Sequence, residues 1–141
     1  MPSDPSPMPE DPGPVQDVEV AIATELLAIL RDSYGTGSSS AKAYVNADSV
    51  VVFFDDLQLQ RSEEYLISAG EGQAVTDVRN HFQQAIEATF RAAVERATGR
   101  RVISFASMTK LDPHYAVEVF RLGPATDAGT LDPRSDGSRD G

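Results

Sequence analysis

The sequence predicts a single small α+β domain: a mainly antiparallel sheet covered by helices, set between two disordered tails. Three observations lead there. Residues 41–54, AKAYVNADSVVVFF, hold the most strand-like stretch of the chain, with five consecutive apolar residues from Val50 to Phe54. Residues 76–97 carry apolar side chains at helical spacing, and residues 115–122 alternate with a period of two. The expected element order is α-β-β-α-α-β-β.

The N-terminal tail, residues 1–15, holds six of the nine prolines. Proline fixes φ and lacks an amide donor, so a disordered, partly polyproline II segment is expected. Pro2, Pro5, Pro9 and Pro12 have PxxP spacing, but no basic residue flanks them to aid docking. The segment has neither the basic start nor the apolar run of a signal peptide.

The folded part is expected at residues 16–122. Residues 18–34 read as the first helix, with Val18, Ala21, Ile22, Leu26, Ile29, Leu30 and Tyr34 on one face and Glu25 interrupting it. Asp17 is the expected N-cap, and Gly35 the left-handed residue that ends the helix.

Residues 35–40, GTGSSS, follow. A candidate anion or small-ligand site is Arg31, Gly35, Gly37, Ser38 and Lys42: a glycine-rich turn with two basic side chains. Against it, phosphate loops sit at helix N-termini, where free amides and the positive dipole end point at the ligand. This turn follows a helix C-terminus and lacks the GK[ST] ending of a Walker A loop. Read structurally, it is a helix stop leading into a strand.

Residues 41–45 and 49–54 should pair across Asn46-Ala47-Asp48, whose Asn and Asp suit a tight turn. Ala41, Ala43 and Val45 face one way, Lys42 and Tyr44 the other. The second strand is apolar on both faces, as expected of a central strand. Asp55 and Asp56 read as a solvated strand end, because a calcium loop needs further oxygen ligands nearby.

Residues 61–69 form a short helix with Tyr65, Leu66 and Ala69 inward, ended by Gly70 and Gly72. The longest helix spans residues 76–97, with a stripe of Val78, Phe82, Ala85, Ile86, Phe90, Ala93, Val94 and Ala97. His81 lies beside the stripe and reads as a surface histidine, since no nucleophile or carboxylate partner accompanies it. After Gly99 come a strand at residues 102–109, a turn with Asp112-Pro113, and a strand at 115–122. In that last strand Tyr115, Val117 and Val119 take one face and Ala116, Glu118 and Phe120 the other. Residues 123–141 have the composition of a disordered tail.

Composition narrows the function classes. The formal net charge is −10, so the chain lacks the basic footprint that nucleic acid or anionic lipid requires. Residues 18–122 hold 14 acids and 10 bases, so the tails carry much of the acidity. Cysteine is absent, which excludes disulfides, thiol nucleophiles and Cys-ligated zinc. No apolar run reaches the roughly 18 residues of a spanning helix. A cytoplasmic protein without membrane insertion is expected, with no catalytic residues, no metal site and no cofactor. A protein partner is expected, and the oligomeric state is open.

The residues Arg31-Asp32-Ser33-Tyr34-Gly35-Thr36-Gly37, followed by Ala41-Lys42-Ala43-Tyr44, resemble a bacterial family in which a helix ends in a G-x-G-P-like turn before a hairpin. Ser38 stands where that family often has Pro. Ala93-Val94-Glu95-Arg96-Ala97-Thr98-Gly99-Arg100-Arg101-Val102 resembles its helix-to-strand passage. Asp112-Pro113 with Ala116-Val117-Glu118-Val119-Phe120 resembles its terminal hairpin. The family is MpsC, of the sodium-translocating, membrane-potential-generating system, and the similarity spans about residues 16–122. The resemblance implies an accessory or interaction protein linked to membrane bicarbonate or cation transport, with a membrane transport system as partner. It brings no catalytic residues with it.

Overall fold

Alternation and periodicity assemble into one sheet with helices on one side. The computed structural model describes residues 14–124. Its elements are α1 (Pro14–Tyr34), β1 (Ser38–Val45), β2 (Ser49–Leu57), α2 (Arg61–Ser68), α3 (Gly72–Thr98), β3 (Val102–Leu111) and β4 (His114–Leu122). The order is the expected one. The readings of disorder and PxxP spacing before residue 14, and of the tail from residue 125, lie outside the described residues.

The four strands are antiparallel, in the order β1-β2-β4-β3. β2 is central, as its two apolar faces require. The β1–β2 hairpin closes with the Asn46 amide donating to the Ser49 carbonyl at 2.8 Å. Register places Ala43 opposite Val52, Val52 opposite Glu118 and Glu118 opposite Ser107. These four residues thus lie in one row across the inner face.

The core forms between that face and two helices. Ile22, Leu26 and Leu30 of α1 and Ile86, Phe90 and Val94 of α3 pack with Val50, Val52, Phe54, Ala116 and Phe120. Phe54 and Phe90 approach with ring centroids 6.3 Å apart, and Phe105 and Phe120 at 5.1 Å. Burying each such side chain contributes on the order of 1.5–3 kcal/mol.

The helices are tied at their ends. Glu19 of α1 accepts the Val45 amide at 2.9 Å, and Glu95 of α3 accepts the Val102 amide at 2.8 Å. Glu25, which interrupts the stripe of α1, pairs instead with Arg96 of α3. Gly35 has φ +97°, and its amide donates to the Arg31 carbonyl at 3.0 Å. Gly99 closes α3 at φ +70°.

Several boundaries and faces depart from the sequence expectation. α1 starts at Pro14, so Asp17 lies in its first turn and is not the cap; proline is favoured at a first helical position because its missing amide has no partner there. Ala21 is exposed. β1 begins at Ser38, and β2 runs through Asp55 and Asp56 to Leu57, because Ser38 pairs with Leu57 and Ser40 with Asp55. Gly72 starts α3 and does not end α2.

In α2, Tyr65 is 74% exposed, Glu63 is buried and Leu66 and Ile67 are half-buried; Ala69, which follows the helix as its C-cap, is exposed. In α3, Val78 is 58% exposed and Ala85 is exposed; Val75, Arg79 and Gln83 take the inward positions of its first half. The inward positions of the two helices meet in a buried ion pair between Glu63 and Arg79.

Candidate functional site

Three features of this fold have chemistry beyond ordinary packing. The first is the ion pair at the end of α1. The Arg79 Nε lies 2.8 Å from Glu63 Oε2, and its Nη2 2.9 Å from Oε1. This two-pronged geometry is the strong form of the contact. The Tyr34 hydroxyl donates to Glu63 Oε2 at 2.6 Å, and the Gln60 amide donates to Oε1 at 2.7 Å. Arg79 also donates to the Gln58 carbonyl at 3.2 Å, and its guanidinium stacks 4.5 Å from the Tyr34 ring centroid.

Burial works to raise the Glu63 pKa. The Arg79, Tyr34 and Gln60 hydrogen bonds and the Arg79 charge outweigh it, so the carboxyl stays below its usual range. The Tyr34 hydroxyl is pushed up to about 12, by burial first and then by its bond to Glu63. Both Glu63 oxygens are occupied within the chain, and the cluster is a clasp joining α1, α2 and α3. It cannot be read from spacing, because Glu63 and Arg79 stand 16 residues apart on different helices.

The clasp abuts the turn where the ligand residues were expected. Arg31 and Gly37 are together: a Cβ on Gly37 would lie 3.4 Å from Arg31 Nε. The Gly35 amide donates to the Arg31 carbonyl, and the Gly37 amide to Gln58 Oε1 at 3.4 Å. The Ser38 hydroxyl donates to the Ser40 carbonyl at 2.9 Å. Lys42 is paired with Phe53 in register, on the outer face of the sheet, away from Ala41 and Ala43. Arg31 and Lys42 thus remain as exposed basic side chains, while these turn groups are bound within the chain.

The second feature is that outer face. Register brings Tyr44, Val51, Phe53, Val117, Val119 and Met108 to it. Tyr44 is 48% exposed and Met108 44%. Phe53 and the three valines are half-buried by their strand neighbours. Tyr44 and Phe53 meet edge to face at 6.2 Å. Among the described residues, the helices lie against the other face. Lys42, Asp55, Lys110 and Arg121 stand around this apolar surface.

The third feature lies on the inner face. Glu118 is fully buried between Ala116 and Phe120, and neither carboxylate oxygen has a hydrogen-bond partner. Burial pushes its pKa up to about 8, outweighing a lowering from the Ser107 hydroxyl across the strand pair. That hydroxyl faces the carboxylate without closing a well-formed hydrogen bond. Gln83 Oε1 and the Thr109 hydroxyl are also buried without a partner. A cleft of about 650 Å³ reaches Gln83 and Ser107, lined by polar residues of α3, among them Asn80, Gln83 and Glu87, and by Phe105, Ala106 and Ser107 of β3.

This turn, clasp and terminal hairpin belong to a small α+β domain, and among the described residues no helix is long and apolar enough to cross a membrane. A family model, MpsC, Na+-translocating membrane potential-generating system, matches residues 15–123. The chain belongs to the MpsC family. No curated protein and no solved structure is significantly similar to it.

Proposed function

We propose that this chain is a non-enzymatic, cytoplasmic interaction module of a Na+-translocating membrane potential-generating system. In this reading it docks on another protein of that system through the outer face of its sheet. The single observation that carries the reading is the apolar character of that face, from Tyr44 across Phe53 and Val119 to Met108. An antiparallel sheet with one solvated face ordinarily alternates to polar residues there. A contiguous apolar patch with a charged surround is the usual form of a protein-binding surface. The family description names a Na+-translocating membrane potential-generating system, which favours a protein partner over a small substrate.

A photo-crosslinking amino acid at position 119 tests this in the native host, with the same group at exposed His81 on α3 as control. The expected result is a covalent adduct to a membrane transport protein from position 119 and none from position 81. Adducts only between copies of this chain would make the face a dimer seam and overturn the reading. The alternative, an anion-sensing turn at Gly35 to Lys42, draws its support from Arg31 beside Gly37. Phosphate or bicarbonate raising the melting temperature in wild type but not in Arg31→Ala would favour it.

A further inference from the structure

We propose that the oxygens of Glu118, Gln83 and Ser107 form a buried binding site for a monovalent alkali cation, reached through the cleft between α3 and β3. The proposal is independent of the docking face, which lies on the other side of the sheet.

The argument starts from what a buried carboxylate requires. Buried polar groups are normally hydrogen-bonded, and buried charges are paired. Glu118 has no exposure, and both of its carboxylate oxygens are without a partner. Neither of its cross-strand neighbours carries a positive charge. Val52 flanks it on β2, Ser107 on β3, and Gln83 of α3 shares the adjoining cleft with Ser107. The charged residue lining that cleft is Glu87, which is held by Arg91 at 2.9 Å.

Five oxygens on this side of the sheet are buried without a hydrogen-bond partner: two from Glu118, one from Gln83, and the hydroxyls of Ser107 and Thr109; Arg91 Nε, also buried, lies 2.9 Å from the Glu87 carboxylate and is no metal ligand. Nitrogen and sulfur ligands are missing from the set, which disfavours zinc and copper. Calcium sites gather six to eight oxygens, several of them from carboxylates. Here one carboxylate stands among neutral oxygens, and among the described residues no group of three or more acidic, His or Cys side chains is placed to hold a metal. A single negative charge with neutral oxygens matches a single positive charge. Glu118 stands opposite Ser107 on the neighbouring strand and does not itself line the cleft, so the occupant must be small.

Cation entry and protonation compete for the same carboxylate. Binding releases the Glu118 proton to solvent, and the ion takes its place. Affinity therefore weakens as pH falls. Below the raised pKa of about 8 the loss approaches tenfold per pH unit.

The test is a melting series on the full chain at pH 9. Lithium, sodium and potassium chloride are compared with tetramethylammonium chloride at equal ionic strength. The expected result is a saturable rise in Tm with at least one alkali cation, a ligand effect that follows from binding the native state alone. The rise is lost in Glu118→Gln, which removes the charge and keeps the shape. In Ser107→Ala, a milder change, the apparent Kd is expected to rise by about tenfold, the equivalent of one lost ligand contact of about 1.4 kcal/mol. In wild type the apparent Kd should weaken toward tenfold between pH 7 and pH 6. Equal Tm in all four salts for wild type, or an alkali-specific rise that survives Glu118→Gln, overturns the proposal. The first of these outcomes would leave a proton or a water as the occupant.

Discussion

The Arg79 guanidinium forks onto the Glu63 carboxylate with both partners almost wholly buried, at 2.8 and 2.9 Å. A buried pair of this kind adds little net stability over an apolar substitute, because both charges must leave water. Removing one partner is another matter, since the other is left buried and unpaired. Arg79→Met should therefore destabilise the fold by about 3–5 kcal/mol. The double change Arg79→Met with Glu63→Leu should be less damaging than Arg79→Met alone. Urea unfolding of the three chains decides it; a loss under about 1 kcal/mol for Arg79→Met would mean that water already screens the pair.

The same pair sets behaviour in acid. The folded Glu63 carboxyl is held below its ordinary value of 4.5. Its contribution is present above the unfolded pKa and is lost as pH falls through the lower folded one. Glu63→Gln should therefore flatten the stability profile below about pH 4.5. An unchanged acid limb in that variant would assign acid unfolding to other carboxylates.

How much was legible beforehand differs along the chain, and the difference has a physical basis. β2 as the central strand follows from its unbroken apolar run and the Ala116, Glu118, Phe120 face of β4 from local alternation, and the structure has them so. Glu118 was visible as an acid on an apolar face; its isolation was not, because that depends on what β3 and α3 bring opposite. Val78 was expected inward and Arg79 not, since apolar periodicity gives no weight to an arginine that gains a partner on another helix. The candidate turn residues Arg31 and Gly37 do meet, but Gln58, which takes the Gly37 amide, arrives only through β2 pairing with β1.

Glu118 predicts a second pH dependence, opposite in sign to that of Glu63. Its folded pKa, about 8, lies above the ordinary 4.5. Between these values the folded chain holds a proton that the unfolded chain has lost. Stability is therefore greatest below pH 4.5 in this contribution, and it declines as pH rises toward 8. The slope is at most about 1.4 kcal/mol per pH unit. In tetramethylammonium buffers, wild type should lose stability across that range relative to Glu118→Gln. Parallel profiles for the two chains would show that the carboxyl does not titrate upon unfolding.

Phe90 and Phe82 separate packing from mere position on a stripe. Phe90 is wholly buried against Phe54, whereas Phe82 is half-buried and meets the Tyr34 ring edge to face at 4.8 Å. Phe90→Ala should cost about 3–5 kcal/mol in urea unfolding, which approaches the whole stability of a small domain. Phe82→Ala should cost clearly less, because part of its surface already faces water. Equal losses would mean that the Phe82 contact with Tyr34 supports the Glu63–Arg79 clasp as well as its own packing.

Gly35 tests whether the turn after α1 is there for chain reversal or for a ligand. Its φ of +97° lies where side chains with a Cβ are strained, and its amide is already used by the Arg31 carbonyl. A Cβ there would sit 3.6 Å from Gln60 Nε2, an ordinary contact, so the cost of substitution comes from the backbone and not from crowding. The left-handed region costs an ordinary residue roughly 1–2 kcal/mol, and a β-branched one tolerates it least. Gly35→Val should therefore destabilise more than Gly35→Asn, whose short polar side chain accepts positive φ more readily. A ligand-cradling role makes a different demand: both variants would lose phosphate affinity while keeping the stability of the unliganded chain. Unfolding free energies together with phosphate titrations of the two variants separate the cases. Equal stability of the Val and Asn chains, with anion binding lost from both, would move the function of this turn from closing a helix to holding a ligand.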